Sequence, residues 1–98
     1  MDVLRKLFGL DGRPKLMFHG AAQTVTGSMH LLRLDGHTVS LDCGMFQGRR
    51  RDARKRNTEF PIPPAQIDAL LLSHAHIDHS GRIPHLTKNG FTGRIYAT

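Results

Sequence analysis

Ser73-His74-Ala75-His76-Ile77-Asp78-His79 is the stretch that decides how this chain is read. It places three imidazoles and a carboxylate within six positions, and such groups are costly to desolvate unless something binds them. Imidazole and carboxylate are ligands that Zn²⁺ accepts, and a hydrolytic site leaves one coordination position to water. Residues i and i+2 of an extended segment share a side, which puts His74 and His76 together. Asp78 and His79 follow past a turn and reach a second position nearby. That spacing suits a two-metal site, whose ions lie about 3.5–4 Å apart and share an attacking hydroxide. A chance cluster of surface histidines is the competing reading, and the flanking sequence has to separate the two.

Immediately before the run, Ala69-Leu70-Leu71-Leu72 reads as a strand buried on both faces. It delivers the histidines at its C-terminal end, where layered α/β proteins tend to hold ligands. Past the run, Ser80 reads as the N-cap of a helix from Gly81 to about Lys88, with Pro84 in its first turn and Gly90 beyond its end. Arg94 to Ala97 reads as a last strand. Upstream, Asp35-Gly36 between Met29–Leu34 and His37–Asp42 signals a tight hairpin. In that register Leu34 faces His37, Leu32 faces Val39 and His30 faces Leu41, while Thr38, Ser40 and Asp42 share the other face. A first strand at Lys15–Phe18, a small-residue loop from Gly20 to Ser28 and a helix from about Arg50 to Asn57 complete the set. Phe60 to Pro64 forces an extended connection and Ala65 to Asp68 allows one turn. The fold class is α/β.

The length of 98 residues allows one domain, and 39% hydrophobic with 22% charged residues is a globular composition. No apolar run approaches the roughly 20 residues that span a bilayer. Met1 to Phe8 is too short and too charged for a secretory signal and reads as a short amphipathic helix. Cys43 is the single cysteine, which precludes an internal disulfide and fits a cytoplasmic location. Charge is unevenly spread: Arg49, Arg50, Arg51, Arg54, Lys55 and Arg56 stand against Asp52, a net +5 of the chain's +6. Such a run is either a solvated face or a contact for a phosphate backbone, which Arg and Lys neutralise with release of counterions.

His74-Ala75-His76-Ile77-Asp78-His79-Ser80-Gly81 resembles the His-x-His-x-Asp-His signature of the metallo-β-lactamase fold. Gly20-Ala21-Ala22-Gln23-Thr24-Val25-Thr26-Gly27-Ser28 and Leu41-Asp42-Cys43-Gly44-Met45-Phe46-Gln47-Gly48 are similar to motifs of its β-CASP branch, the RNA-processing nucleases. The resemblance covers residues 15–98 and leaves 1–14 as an N-terminal leader. It implies that His74 and His76 hold one zinc while Asp78 and His79 hold the other, with Mn²⁺ or Fe²⁺ as alternatives. It also implies catalytic roles for Asp78 and Asp42. Asp42 sits where a carboxylate can fix the tautomer of a ligand imidazole, although an ordinary Asx turn is the other reading of that position. The implied reaction is hydrolysis of single-stranded RNA by a metal-activated hydroxide attacking phosphorus, in a protein that can form a homodimer and has no membrane association.

Members of this family continue for several hundred residues. Their later part supplies a third histidine for one metal, a bridging aspartate, a histidine for the second metal and the β-CASP cap. After His79 this chain has only His85, and no Asp or Glu follows Asp78. The expectation is the N-terminal part of an incomplete αββα sandwich, with about one of two sheets, an inner face lacking its partner and no activity alone. Two rivals stand beside it: a hydrolase of the same fold acting on a thioester or similar substrate, and a non-catalytic basic nucleic-acid-binding fragment. His19, His30, His37 and His85 read as packed or surface residues, and Cys43 as a small buried hydrophobe.

Overall fold

Five short strands build one mixed sheet: β1 (Lys15–His19), β2 (Met29–Leu34), β3 (His37–Leu41), β4 (Ala69–Leu71) and β5 (Arg94–Tyr96), in spatial order β1-β2-β3-β4-β5. The structure is a computed structural model that describes residues 14–20, 26–48 and 50–98, with 50–52 described by backbone only. The expected leader helix, the centre of the small-residue loop and Arg49 lie outside the described residues.

β1, β2 and β3 are antiparallel, while β4 and β5 join parallel to β3 and to each other. The hairpin forms because Asp35 and Gly36 both take positive φ, 51° and 79°, the conformation a two-residue turn needs to match strand twist. Its register is the expected one, with Leu34 opposite His37 and His30 opposite Leu41. Parallel pairing requires crossovers. The first carries α1 (Arg50–Thr58) and a single 3₁₀ turn at Pro64–Gln66, and the second carries α2 (Ile77–Ser80) and α3 (Ile83–Lys88).

One sheet face is covered. Met29, Leu31 and Leu70 from the sheet pack with Cys43, Ile67, Leu86 and Phe91, and Phe60, Ile62 and Ile83 close the edge of this core. Thr38 and Ser40 also lie buried on this side. They are tolerated because Thr38 Oγ1 accepts from Arg33 at 2.6 Å and Ser40 Oγ donates to the Asp42 carbonyl at 2.8 Å. The opposite face carries a register row of Phe18, His30, Leu41, Leu71 and Tyr96 across all five strands. Phe18, Leu71 and Tyr96 are 64%, 43% and 51% exposed, so this apolar face is open.

Two expectations need correction. β4 is buried on one face only, since Leu70 is fully buried and Leu71 is not; the uniform apolar run reports residue type, not the number of covering layers. The helix expected from Gly81, capped by Ser80, begins instead at Ile83 after Arg82, and a separate short helix precedes it. Ser80 belongs to α2, where its hydroxyl donates to the Ala75 and His76 carbonyls at 3.2 and 3.0 Å. Pro84 enforces the break, because it has no N–H for the Ser80 carbonyl and its ring would crowd that oxygen.

The adjacent leucines of β4 give a direct check on the one-sided core. In this 98-residue chain Leu70→Ala is expected to cost about 2–5 kcal/mol. Leu71→Ala, whose side chain is half in water, should cost under about 1 kcal/mol. Urea unfolding of both variants measures the difference, and equal losses would contradict the packing described.

Candidate metal centre

The histidine run leaves β4 extended and then enters α2, with His76 as the extended residue that precedes the helix (φ −64°, ψ 143°). His74 and His76 meet edge to face with ring centroids 4.7 Å apart, and His74 and His79 lie at 4.1 Å. His79 Nε2 is 3.3 Å from Asp78 Oδ2. The chain thus brings His74, His76, Asp78 and His79 to one end of the sheet.

A short helix such as α2 leaves its carbonyls in need of donors. Met45 N–H donates to Ile77 O at 2.9 Å, Ser28 N–H to Asp78 O at 3.1 Å and Cys43 N–H to His79 O at 2.8 Å. Gly44 N–H in turn bonds Ser28 O at 2.9 Å. Both glycine-bracketed motifs therefore act as a backbone clamp on the metal run. The glycine is required: a Cβ on Gly44 would stand 1.7 Å from the Asp78 carbonyl oxygen.

Asp42 completes the arrangement from the end of β3. It is buried and adopts φ +65°, a region that Asp enters more readily than most side chains. Its Oδ1 accepts from the Ser73 N–H at 2.7 Å. Its Oδ2 receives the Ser73 hydroxyl at 2.8 Å and lies 2.8 Å from His79 Nδ1. The Ser73 hydroxyl also sits 2.8 Å from His74 Nδ1. Because an ionised carboxylate only accepts, His79 Nδ1 carries a proton; because the serine proton goes to Asp42, His74 Nδ1 carries one as well. In a neutral ring this leaves Nε2 as the nitrogen that can accept a ligand bond, and for His79 that atom lies 3.3 Å from Asp78 Oδ2. Burial alone would raise the Asp42 carboxyl, but the bonds from Ser73 and His79 outweigh it and hold the group below the ordinary carboxylate range.

Ser73 and Arg82 have no counterpart in the sequence-based candidates. Ser73 adjoins His74, yet its partner Asp42 is 31 positions away, a separation no local pattern reveals. Arg82 is 1% exposed, and among the described residues no carboxylate pairs with it. Its Nε donates to Gly44 O, its Nη1 reaches Glu59 O at 3.1 Å, and its guanidinium lies 4.8 and 5.2 Å from the ring centroids of Phe46 and Phe60. The remaining histidines stay apart from the cluster. His19 is half-buried beside Phe46, His30 packs edgewise on Phe18 and His85 stacks on Phe60, while His37 is exposed.

The donor set suits a divalent cation in kind, with borderline nitrogen and hard oxygen ligands. It is short in number: among the described residues no three His, Cys, Asp or Glu side chains are gathered as a metal-holding group. Of the basic run, Arg54, Lys55 and Arg56 are exposed on α1 and stand outside this cluster; the side chains of Arg50 and Arg51 lie outside the described residues. Among the described residues no helix is long and apolar enough to cross a membrane.

Residues 23–98 match the family model of the metallo-beta-lactamase superfamily, and the chain belongs to that family. It is 51% identical over 79 residues to ribonuclease TTHA0252 of Thermus thermophilus, covering 81% of this chain and 18% of that protein. It is 36% identical over 90 residues to Integrator complex subunit 11 of Danio rerio, covering 81% of this chain and 14% of the relative. The chain thus spans under a fifth of the length of these relatives. Among solved structures it is similar to the metallo-beta-lactamase fold protein YhfI of Bacillus subtilis, with TM-score 0.54, 26% identity, and 78% and 30% of the two chains covered. A structure titled as the peroxy diiron species of the chemotaxis sensor ODP matches with TM-score 0.55, 28% identity, and 85% and 33% covered.

Two outcomes follow for the clamp. Asp42→Ala leaves the Ser73 N–H and the His79 Nδ1–H without an acceptor and puts alanine at φ +65°, so it should cost about 2–4 kcal/mol in denaturant unfolding. A loss under half a kilocalorie would show that the network carries no stability. Burial pushes the Cys43 thiol up to about 11, Arg82 opposing this and Asp42 adding to it. The native thiol should therefore resist iodoacetamide near neutral pH. The unfolded thiol ionises near about 8.5, so this group's contribution is full below that pH and is lost as pH rises towards the folded value. Labelling and alkaline unfolding curves read both effects.

Proposed function

We propose that this chain is the N-terminal part of a metal-dependent ribonuclease of the β-CASP branch, hydrolysing phosphodiesters of single-stranded RNA. The observation that carries the reading is the Asp42–Ser73–His79–His74 network, which holds the Nδ1 atoms of two histidines beside His76 and Asp78. His74 and His76 would hold one zinc, and Asp78 and His79 a second. A bound divalent ion supplies a lowered pKa for water and charge stabilisation at phosphorus. The chain's own residues do the positioning. Asp42 holds the His79 proton on Nδ1, Ser73 relays the same constraint to His74, and the Gly44 clamp keeps α2 against the sheet end. The match to a protein named as a ribonuclease supports RNA as substrate.

The open row Phe18, Leu71 and Tyr96 and the small share of the relatives that is covered support a larger protein in which a second layer meets this face. These 98 residues alone are then inactive, because the ligand set is incomplete. The similarity to a di-iron protein favours a second reading of the metal only: iron, or manganese, in the same donors. Location in the cytoplasm accords with the lone buried thiol.

His76→Ala in the full-length protein should abolish cleavage of an end-labelled RNA in the presence of zinc while leaving the folded content unchanged by circular dichroism. Undiminished cleavage would overturn the assignment. Turnover of a thioester but not of RNA would move the substrate to the other hydrolases of this fold.

A further inference from the structure

The loop that clamps the metal run is also the wall of a groove. An open groove of about 480 Å³ runs between the loop from Met45 to Gly48 and the side of α1 that bears Ala53, Arg54 and Asn57. Its volume falls in the range of small-ligand sites, about 300–1,000 Å³, and suits one nucleotide of a strand.

Both walls are fixed by bonds that leave the Arg54 and Lys55 side chains out. Asn57 grips the Phe46 backbone twice: its Oδ1 accepts the N–H at 2.6 Å, and its Nδ2 donates to the carbonyl at 3.0 Å. Arg82 Nη1 reaches the Arg56 carbonyl at 3.4 Å, and His85 Nε2 lies 3.3 Å from the Thr58 carbonyl. The last turn of α1 is thus held from behind by a buried guanidinium. In front, Arg54 and Lys55 are exposed. Among the described residues no carboxylate, Glu59 included, pairs with Arg54, Lys55 or Arg56. A ridge whose cations outnumber its one acidic residue, Asp52, backed by one more buried cation, sets a positive potential along the groove. The loop in the groove's wall is also tied to the histidine run, since Met45 donates its N–H to Ile77 O.

We propose that single-stranded RNA docks in this groove, with backbone phosphates on Arg54 and Lys55 and a nucleotide against the wall from Phe46 to Gly48, and that this wall leads the strand to His74–His79. The proposal rests on the ribonuclease reading for the identity of its ligand, and its test is read by binding, without cleavage.

Fluorescence anisotropy of a labelled oligouridylate on the full-length protein, across a salt series and with metal chelated, is the experiment. Arg54→Glu should weaken binding about tenfold at low salt and flatten the log–log salt slope by about 0.7, the loss of one single-strand phosphate contact. Lys88→Glu, the same charge change on the exposed end of α3, should leave affinity within about twofold. Arg54→Lys should bind within about threefold of the native protein, since a point charge still meets the phosphate. An Arg54→Glu protein with native affinity and slope overturns the groove. So does an equal loss in Lys88→Glu, which would make the effect one of net charge. If Arg54→Glu loses binding in a protein that cleaves no RNA, the groove stands and the ribonuclease reading falls. If cleavage persists and Arg54→Glu binds normally, the reverse holds.

Discussion

A single carboxylate organises this end of the molecule. Asp42 turns the chain out of β3 with a left-handed backbone and is buried where an unpaired charge would be costly. It is made tolerable by the Ser73 N–H, the Ser73 hydroxyl and the His79 ring, all within 2.8 Å. These bonds tie the end of β3 to the segment that leaves β4. They also engage the Nδ1 atoms of two histidines, His79 directly and His74 through Ser73. The stability of this end and the setting of its histidines therefore have the same source.

Around that contact the backbone provides the rest of the frame. Three successive carbonyls of α2 are met by N–H groups from Ser28, Cys43 and Met45, so a helix of only four residues is held in place. Gly44 is the position where two main chains touch. Arg82 joins the Gly44 loop to the segment after α1 through main-chain carbonyls, and its Nη2 also donates to Met29 Sδ at 3.7 Å. A guanidinium has five donors in a planar fork, which suits this bridging better than a point charge.

The strand pattern was legible because its causes are local. Asp35-Gly36 dictates the turn, and the turn dictates the hairpin register as far as His30 opposite Leu41. The histidine spacing was equally plain, and the structure brings those four residues together. What the sequence hid is non-local. Leu70 and Leu71 are the same residue type, and only the missing cover on one face separates them. Ser80 looked like a cap because serine before a helix commonly is one, but Pro84 moves the break two residues later. Ser73 and Arg82 declare their roles only through partners 31 and 38 positions away. A buried arginine without a carboxylate contradicts the usual expectation that charge stays outside.

Asp42, directly and through Ser73, fixes His74 and His79 with their protons on Nδ1. Long-range ¹H–¹⁵N correlation spectra of the imidazole rings, recorded on metal-free protein at alkaline pH, read this directly. The Nδ1–H tautomer is expected for both rings in the native protein, with His79 losing it in Asp42→Ala. Nε2–H signals for His74 and His79, or the same mixture of tautomers with and without Asp42, would contradict it.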